Sequence, residues 1–294
     1  HVEGQFDKDD KKTKRTARAM MRMVASINSG SFDGQRQVTC YSCHRGRKTP
    51  SSMEVSEAGA LRGTANATTE KLPTDLPAVS EIIGRYVSAL GGVSAVEAIS
   101  SRHESGVWQE GSERGEVEIF ADGHEKYALV RHSKSDTRSA ILNGASGQIA
   151  SPGRTPLEMT KAERDFATMD ADLQRPLHLR NVFRDLKEEH PEKIGDHEAL
   201  VVVGELTNDR SVKFYFDRNS GLLLREVRFA DSTLGQIPTQ IDYEEYRESD
   251  GVQIPAKITV TDTQNVFTMH FSDVRQNVAI DPKVFTSNGA RPQR

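Results

Sequence analysis

At 294 residues the chain exceeds the size at which a single hydrophobic core usually splits, so two domains are expected. Hydrophobic content of 35% and charged content of 28% are ordinary for a soluble, somewhat polar protein, and no apolar run approaches the ~18 residues of a membrane span. The net charge of −4 and the lack of aromatics among the basic residues give no sign of nucleic-acid binding.

The chain begins with His1 rather than Met and shows no secretory signal, so it reads as processed or truncated. His1 to Asp10 is acidic and irregular. Lys11 to Asn28 predicts a helix, with Ala17, Met20, Met21, Val24 and Ile27 on one face and with Gly30 and Gly34 ending it. A polar loop over residues 29–39 then leads into Cys40-Tyr41-Ser42-Cys43-His44.

That pentapeptide is the attachment signature of a c-type haem. Each thiol adds across one vinyl group of the porphyrin, and the adjacent His44 can bind the iron as proximal ligand. A thioredoxin-like redox pair would need a preceding strand, whereas the approach here is a polar loop. A zinc finger would need two more ligands at finger spacing, and the next histidine is His103. The chain has only two cysteines, so neither is left for another task. A sixth iron ligand in electron-carrying c-type haems is commonly a methionine sulfur. Met20 sits at the centre of the helix's apolar face, with Met21 and Met23 towards its edges. Periodicity alone does not choose among them, and a methionine on such a face is often core filler.

Residues 13–50, with Ala17-Arg18, Met20, Met23, Ile27-Asn28, Val38 to Cys43, His44-Arg45-Gly46 and Pro50, resemble the second-haem segment of the tetrahaem cytochrome subunit of photosynthetic reaction centres. The resemblance implies Met20 as the sixth ligand, with Met23 as the fallback. In that family the preceding haem motif ends in a histidine nineteen residues before this methionine, which falls on His1. The resemblance therefore implies that His1 is the proximal ligand of a second haem c, with Cys-x-x-Cys just before it. The family's further distal histidine has no counterpart at 29–39.

Residues 49–77 are rich in Ser, Thr, Ala, Gly and Pro and read as a linker. Beyond it, Val79, Ile82, Ile83, Tyr86, Val87 and Leu90 form a helical stripe that Gly91-Gly92 stops, and Val93 to Ile99 makes a short second helix. Strands are expected at 104–111, 115–122, 124–133, 136–143, 198–206, 211–217, 222–230, 238–247, 252–262 and 265–275. Turns at Asp122-Gly123, Asn219-Ser220-Gly221 and Asp250-Gly251 join hairpins. Helix is expected across 158–188.

This pattern predicts an α+β chain: a small helical c-type haem module joined to an antiparallel curved β-sheet, an incomplete barrel, with packed helices. The helix ending Ala89-Leu90-Gly91-Gly92, the segment Lys213 to Asp217 with Gly221 to Arg225, and the hairpin Tyr246…Ile254-Pro255 loosely resemble the outer-membrane lipoprotein carrier (LolA-like) family. That resemblance implies a hydrophobic concavity. The expected division is 1–50 haem module, 51–75 linker, 76–286 β-domain and 287–294 tail. The chain contains no nucleophile elbow and no H-E-x-x-H helix. Histidines 103, 124, 132, 178, 190, 197 and 270 read as surface or satisfied core residues.

Residues 1–50 carry eleven Lys/Arg against five Asp/Glu, and the remainder 28 against 38. The basic end could steer a redox partner, although offsetting haem propionates explains it more simply. The expected function is electron transfer by a periplasmic or extracellular bacterial multihaem cytochrome, not an enzyme, with redox proteins as donor and acceptor. One alternative is an apolar-ligand or lipoprotein-binding protein with haem as anchor or sensor. The other is an assembly module that spaces haems in a homo-oligomer, a multi-subunit complex or a cytochrome polymer.

Overall fold

The computed structural model describes residues 11–44, 73, 75–134, 136–151, 153–206, 210–232, 235–262 and 265–286. His1, the segment Arg45 to Pro50, nearly all of the expected linker and the 287–294 tail lie outside the described residues.

Helix α1 spans Lys12–Ser31 and a single turn, α2, spans Cys40–His44. Gly30 does not end α1 as expected: the helix runs through it. Termination falls instead to Gly34, whose positive φ of 78° lets its N–H reach back to the carbonyl of Asn28 at 3.0 Å.

The larger part is one antiparallel sheet of thirteen strands. They are β1 (Ser101–Glu110), β2 (Glu113–Asp122), β3 (Lys126–His132), β4 (Thr137–Asn143), β5 (Ser146–Ala150), β6 (Leu157–Glu158), β7 (Leu186–Ile194), β8 (His197–Leu206), β9 (Arg210–Asp217), β10 (Leu223–Ser232), β11 (Gly235–Ser249), β12 (Val252–Thr261) and β13 (Val266–Gln276). In space the order is β6-β5-β4-β3-β2-β1-β13-β12-β11-β10-β9-β8-β7, an open curved meander whose two halves join where β1 pairs with β13. The α+β expectation holds.

Helices α3 (Val79–Ala89), α4 (Val93–Glu97), α5 (Lys161–Ala171) and α6 (Arg175–Val182) contribute to the main core. Ile82, Ile83, Tyr86, Val87 and Leu90 of the α3 stripe pack with Leu200, Val202, Phe214 and Phe216 from β8 and β9. Burying each such side chain stabilises the fold by about 1.5–3 kcal/mol. The end of α3 docks on the β11–β12 hairpin, where Gln253 N–H donates to Leu90 O at 2.9 Å. That hairpin turns at Asp250 and Gly251, both at positive φ (48° and 80°), as a two-residue primed turn requires. A Cβ on Gly91 would stand 2.0 Å from the Gly251 carbonyl oxygen, so only glycine permits this contact.

The ten expected strands are present, with ends shifted by a few residues. The helix expected across 158–188 is not continuous. It is two helices separated at Asp172-Leu173-Gln174, flanked by the short strand β6 and by β7. Pro176 explains the restart, since proline is tolerated in the first turn of α6 but not inside a helix. Strands β5, β6 and β7 had no clear period-2 signal. β7 is an outermost strand whose sequence, LKEEHPEKI, carries the charges and proline that blunt an edge.

Candidate functional site

Two regions carry chemistry. In the first, Cys40, Cys43 and His44 occupy positions i, i+3 and i+4 of the single turn α2, so all three share one face. Neither thiol is in a disulfide, and Cys43 is exposed. The turn is held at its start by Ser42, whose Oγ accepts the Thr39 N–H at 3.0 Å while its own N–H donates to Thr39 O at 3.1 Å.

The strand of chain leading into α2 is fixed to α1 by Asn28. Its Nδ2 donates to Val38 O at 2.7 Å and its Oδ1 accepts Val38 N–H at 2.8 Å. Met20, Val24, Ile27 and Asn28 follow the i, i+4, i+7, i+8 spacing of one helical face, and they are the α1 positions from Met20 onward that are not exposed. Met21 and Met23 are both 48% exposed, so α1 turns Met20 inward and the other two outward. Asn28 entered the sequence reading only as a family position; its clamping role was not visible there.

The chemistry of this donor set fits a covalently held haem. It offers two unpaired thiols at vinyl-bridging spacing, an imidazole next to the second thiol, and a thioether on a helix tied to the same segment. His1 lies outside the described residues.

The second region is a cavity of about 340 Å³ between the sheet and the helices, at the small end of ligand pockets (~300–1,000 Å³). Leu90, Ile119, Leu129, Ile241, Ile258 and Val260 supply apolar wall, and Arg102, Glu104, Asp170, Arg175 and Arg228 also border it. Asp170, Arg175 and Arg228 join the fully buried Glu226 in one charged network, while Arg102 pairs with Glu104. Arg228 Nε donates to Glu226 Oε1 at 2.6 Å, and its two terminal nitrogens fork onto the Asp170 carboxylate. Arg175 lies 3.2 Å from Glu226 Oε2, which also accepts from the Tyr243 hydroxyl at 3.2 Å. Glu226 and Arg228 of β10 are thereby tied to α5, α6 and β11.

Burial pushes the Glu226 carboxyl up, but Arg175 and Arg228 outweigh it and hold the group below the usual carboxylate range. Glu104 goes the other way: burial raises it, and Arg102 offsets only part of that. Burial also pushes the Tyr86 hydroxyl up to about 12. Arg102 Nε is the buried side-chain polar atom that lacks a hydrogen-bond partner among the described residues.

Several histidines meet carboxylates: His103 and His132 approach Glu118, His197 approaches Asp217, and His124 and His178 both approach Asp172. Strand and turn patterns gave no hint of these pairings, because each partner comes from a different element.

Residues 1–82 match the family model of the photosynthetic reaction centre cytochrome C subunit. Among solved structures the chain is similar to a LolA superfamily protein from Nitrosomonas europaea, at 13% identity over 71% of this chain and 97% of that one, with a TM-score of 0.49. It is also similar to a domain described as outer-membrane lipoprotein-sorting from Vibrio parahaemolyticus, at 11% identity over 72% of this chain and 97% of that one, with a TM-score of 0.48. Among the described residues no helix is long and apolar enough to cross a membrane.

Proposed function

We propose that this chain is an extracytoplasmic c-type cytochrome that passes electrons between redox proteins. Cys40 and Cys43 hold the porphyrin, His44 and Met20 bind the iron, and His1 ligates a second haem c. The observation that carries the reading is the shared face of Cys40, Cys43 and His44 on a turn clamped through Asn28 to the helix of Met20. When bound, the haem supplies a one-electron iron couple. The residues' part would be to hold His44 and Met20 on two segments that Asn28 ties together, which would limit rearrangement when the iron changes oxidation state. Two protein ligands leave no iron position for substrate, which favours a carrier over an oxidase or peroxidase. An extracytoplasmic location follows from where covalent haem attachment normally takes place.

The test is denaturation of the native protein in acidified organic solvent, followed by haem counting. Haem that stays on the polypeptide at two per chain is the expected result. Complete extraction of the pigment overturns the attachment, and one haem per chain removes the role of His1.

A second reading concerns the β-domain, which would hold an apolar or amphipathic ligand. Its support is the cavity wall together with the unpartnered Arg102 Nε, a donor suited to an anionic head group. An environment-sensitive apolar fluorophore should bind and be displaced by a long-chain carboxylate, and Ile241→Trp should abolish both effects by filling the space. Failure of the wild-type protein to bind the probe would leave the β-domain as a structural module.

A further inference from the structure

His124, Asp172 and His178 come from three separate elements. His124 sits in the β2–β3 turn, Asp172 caps the C-terminus of α5, and His178 lies on α6. His124 Nδ1 is 3.0 Å from Asp172 Oδ1, and His178 Nδ1 is 2.7 Å from Asp172 Oδ2. The two rings are 5.7 Å apart, and one ligating atom from each of the three residues falls within 4.8 Å of the others. Among the described residues no other group of three or more His, Cys, Asp or Glu side chains converges in this way.

The carboxylate is oriented in advance. Gln174 N–H donates to Asp172 Oδ1 at 3.1 Å, and the Gln174 side chain donates to the carbonyls of Glu97 at 2.8 Å and Ile99 at 3.3 Å. Asp172 is therefore held by its own turn, which is anchored in turn beside α4. Burial is graded across the triad, from 13% side-chain exposure at Asp172 through 34% at His178 to 55% at His124. One side is thus shielded and the other open to an arriving ion.

We propose that this triad binds a zinc ion. Two imidazole nitrogens and one carboxylate oxygen form the mixed N/O set that zinc accepts, with a fourth tetrahedral position left for water. With metal–ligand bonds of about 2.0–2.1 Å, tetrahedral geometry sets neighbouring ligand atoms about 3.3 Å apart. The two imidazoles meet different oxygens of the Asp172 carboxylate, and the three ligating atoms lie within 4.8 Å of one another, so side-chain shifts of up to about 1.5 Å bring them to that spacing around an ion. The competing arrangement is a metal-free triad in which each neutral histidine donates its Nδ1–H to one carboxylate oxygen.

Zinc here would staple the β2–β3 turn to the α5–α6 segment. That segment also carries Asp170 and Arg175, and Asp172 itself borders the cavity, so the ion would fasten the helical wall of the cavity to the sheet. The inference stands apart from the haem assignment, because none of these residues belongs to the cytochrome-like segment.

The test uses the full haem-loaded chain, dialysed against Zn2+ and then analysed for metal content and thermal unfolding. One zinc per chain is expected, with a rise in melting temperature that a chelator reverses. His178→Ala and Asp172→Asn should weaken binding by more than the about 10–100-fold lost with an outer-shell partner, and zinc should no longer shift their melts. His124→Gln, on the exposed turn, serves as the variant that keeps the fold intact. His190→Ala, outside the triad, should bind zinc as the wild type does. Failure of the wild type to retain zinc overturns the proposal in favour of the hydrogen-bonded triad. Zinc binding that survives both His124→Gln and His178→Ala overturns it by placing the ion elsewhere.

Discussion

The amide of Asn28 grips both backbone groups of Val38, giving one hydrogen bond at 2.7 Å and taking another at 2.8 Å. This side chain is what couples α1 to the chain entering Cys40. Asn28→Ala leaves the Val38 N–H and C=O without those partners, at a cost of about 1–3 kcal/mol. The expected outcome is a haem module that melts earlier and shows a broadened redox titration, while the β-domain transition stays unchanged. Differential scanning calorimetry with potentiometry checks this, and an unchanged titration would mean the clamp does not position the ligands.

Met20 and Met23 separate cleanly by exposure, so their variants should behave differently. Met20→Ala should remove the sulfur-to-iron absorption band of the oxidised protein. It should also lower the potential by on the order of 0.1 V, a fraction of the ~0.8 V over which axial ligands act. Met23→Ala should leave both nearly untouched. The reverse pattern would make Met23 the ligand.

Glu226 should impose an acid limit on stability. Its folded-state value is depressed below that of the unfolded chain (about 4.3), so its contribution is present above that value and is lost as pH falls through the folded one. Glu226→Gln leaves Arg175 and Arg228 short of a buried counter-charge and should cost about 3–5 kcal/mol at neutral pH. The gap between variant and wild type should narrow below pH ~4 in thermal melts. A gap that is constant with pH would show that the carboxylate charge is not what holds the network.

Residues 76–286 contain a core formed by α3, α4, α5, α6 and the sheet, and should fold alone without haem. Expressed separately, this segment should unfold in one cooperative transition by circular dichroism and fluorescence alike. Probe-dependent melting would show that it leans on the haem module.

The strands with hairpin turn chemistry were legible because Asp122-Gly123 and Asp250-Gly251 punctuate alternating runs. The α3 stripe was legible because six apolar residues keep one period. Elsewhere pattern misleads for physical reasons. In β10, Glu226 and Arg228 alternate with Val227 and Phe229, which reads as a solvent face, yet Glu226 is 0% and Arg228 5% exposed. The polar face is turned inward and neutralised by Asp170 and Arg175, partners more than fifty residues away that no local window contains. The segment proposed to hold haem is the opposite case: Cys40, Cys43 and His44 stand at the spacing of a haem-attachment motif and point to that chemistry from sequence alone. Asn28, which holds them in place, carries no such signature.

The pairing of β1 with β13 bears on how the chain finds its shape. Among the described strands every other ladder joins neighbours in sequence, whereas this one brings Arg102 beside Gln276. Hairpins can zip up early and cheaply, but this seam must wait for a loop of more than a hundred residues to close, an entropic delay that local pairing does not share. The rate of forming the complete sheet should therefore be limited by this long-range pairing. Joining residue 286 to residue 76 and reopening the chain between β6 and β7 would turn the seam into a near-neighbour contact. In stopped-flow experiments such a permutant should refold faster than the natural order while reaching the same sheet.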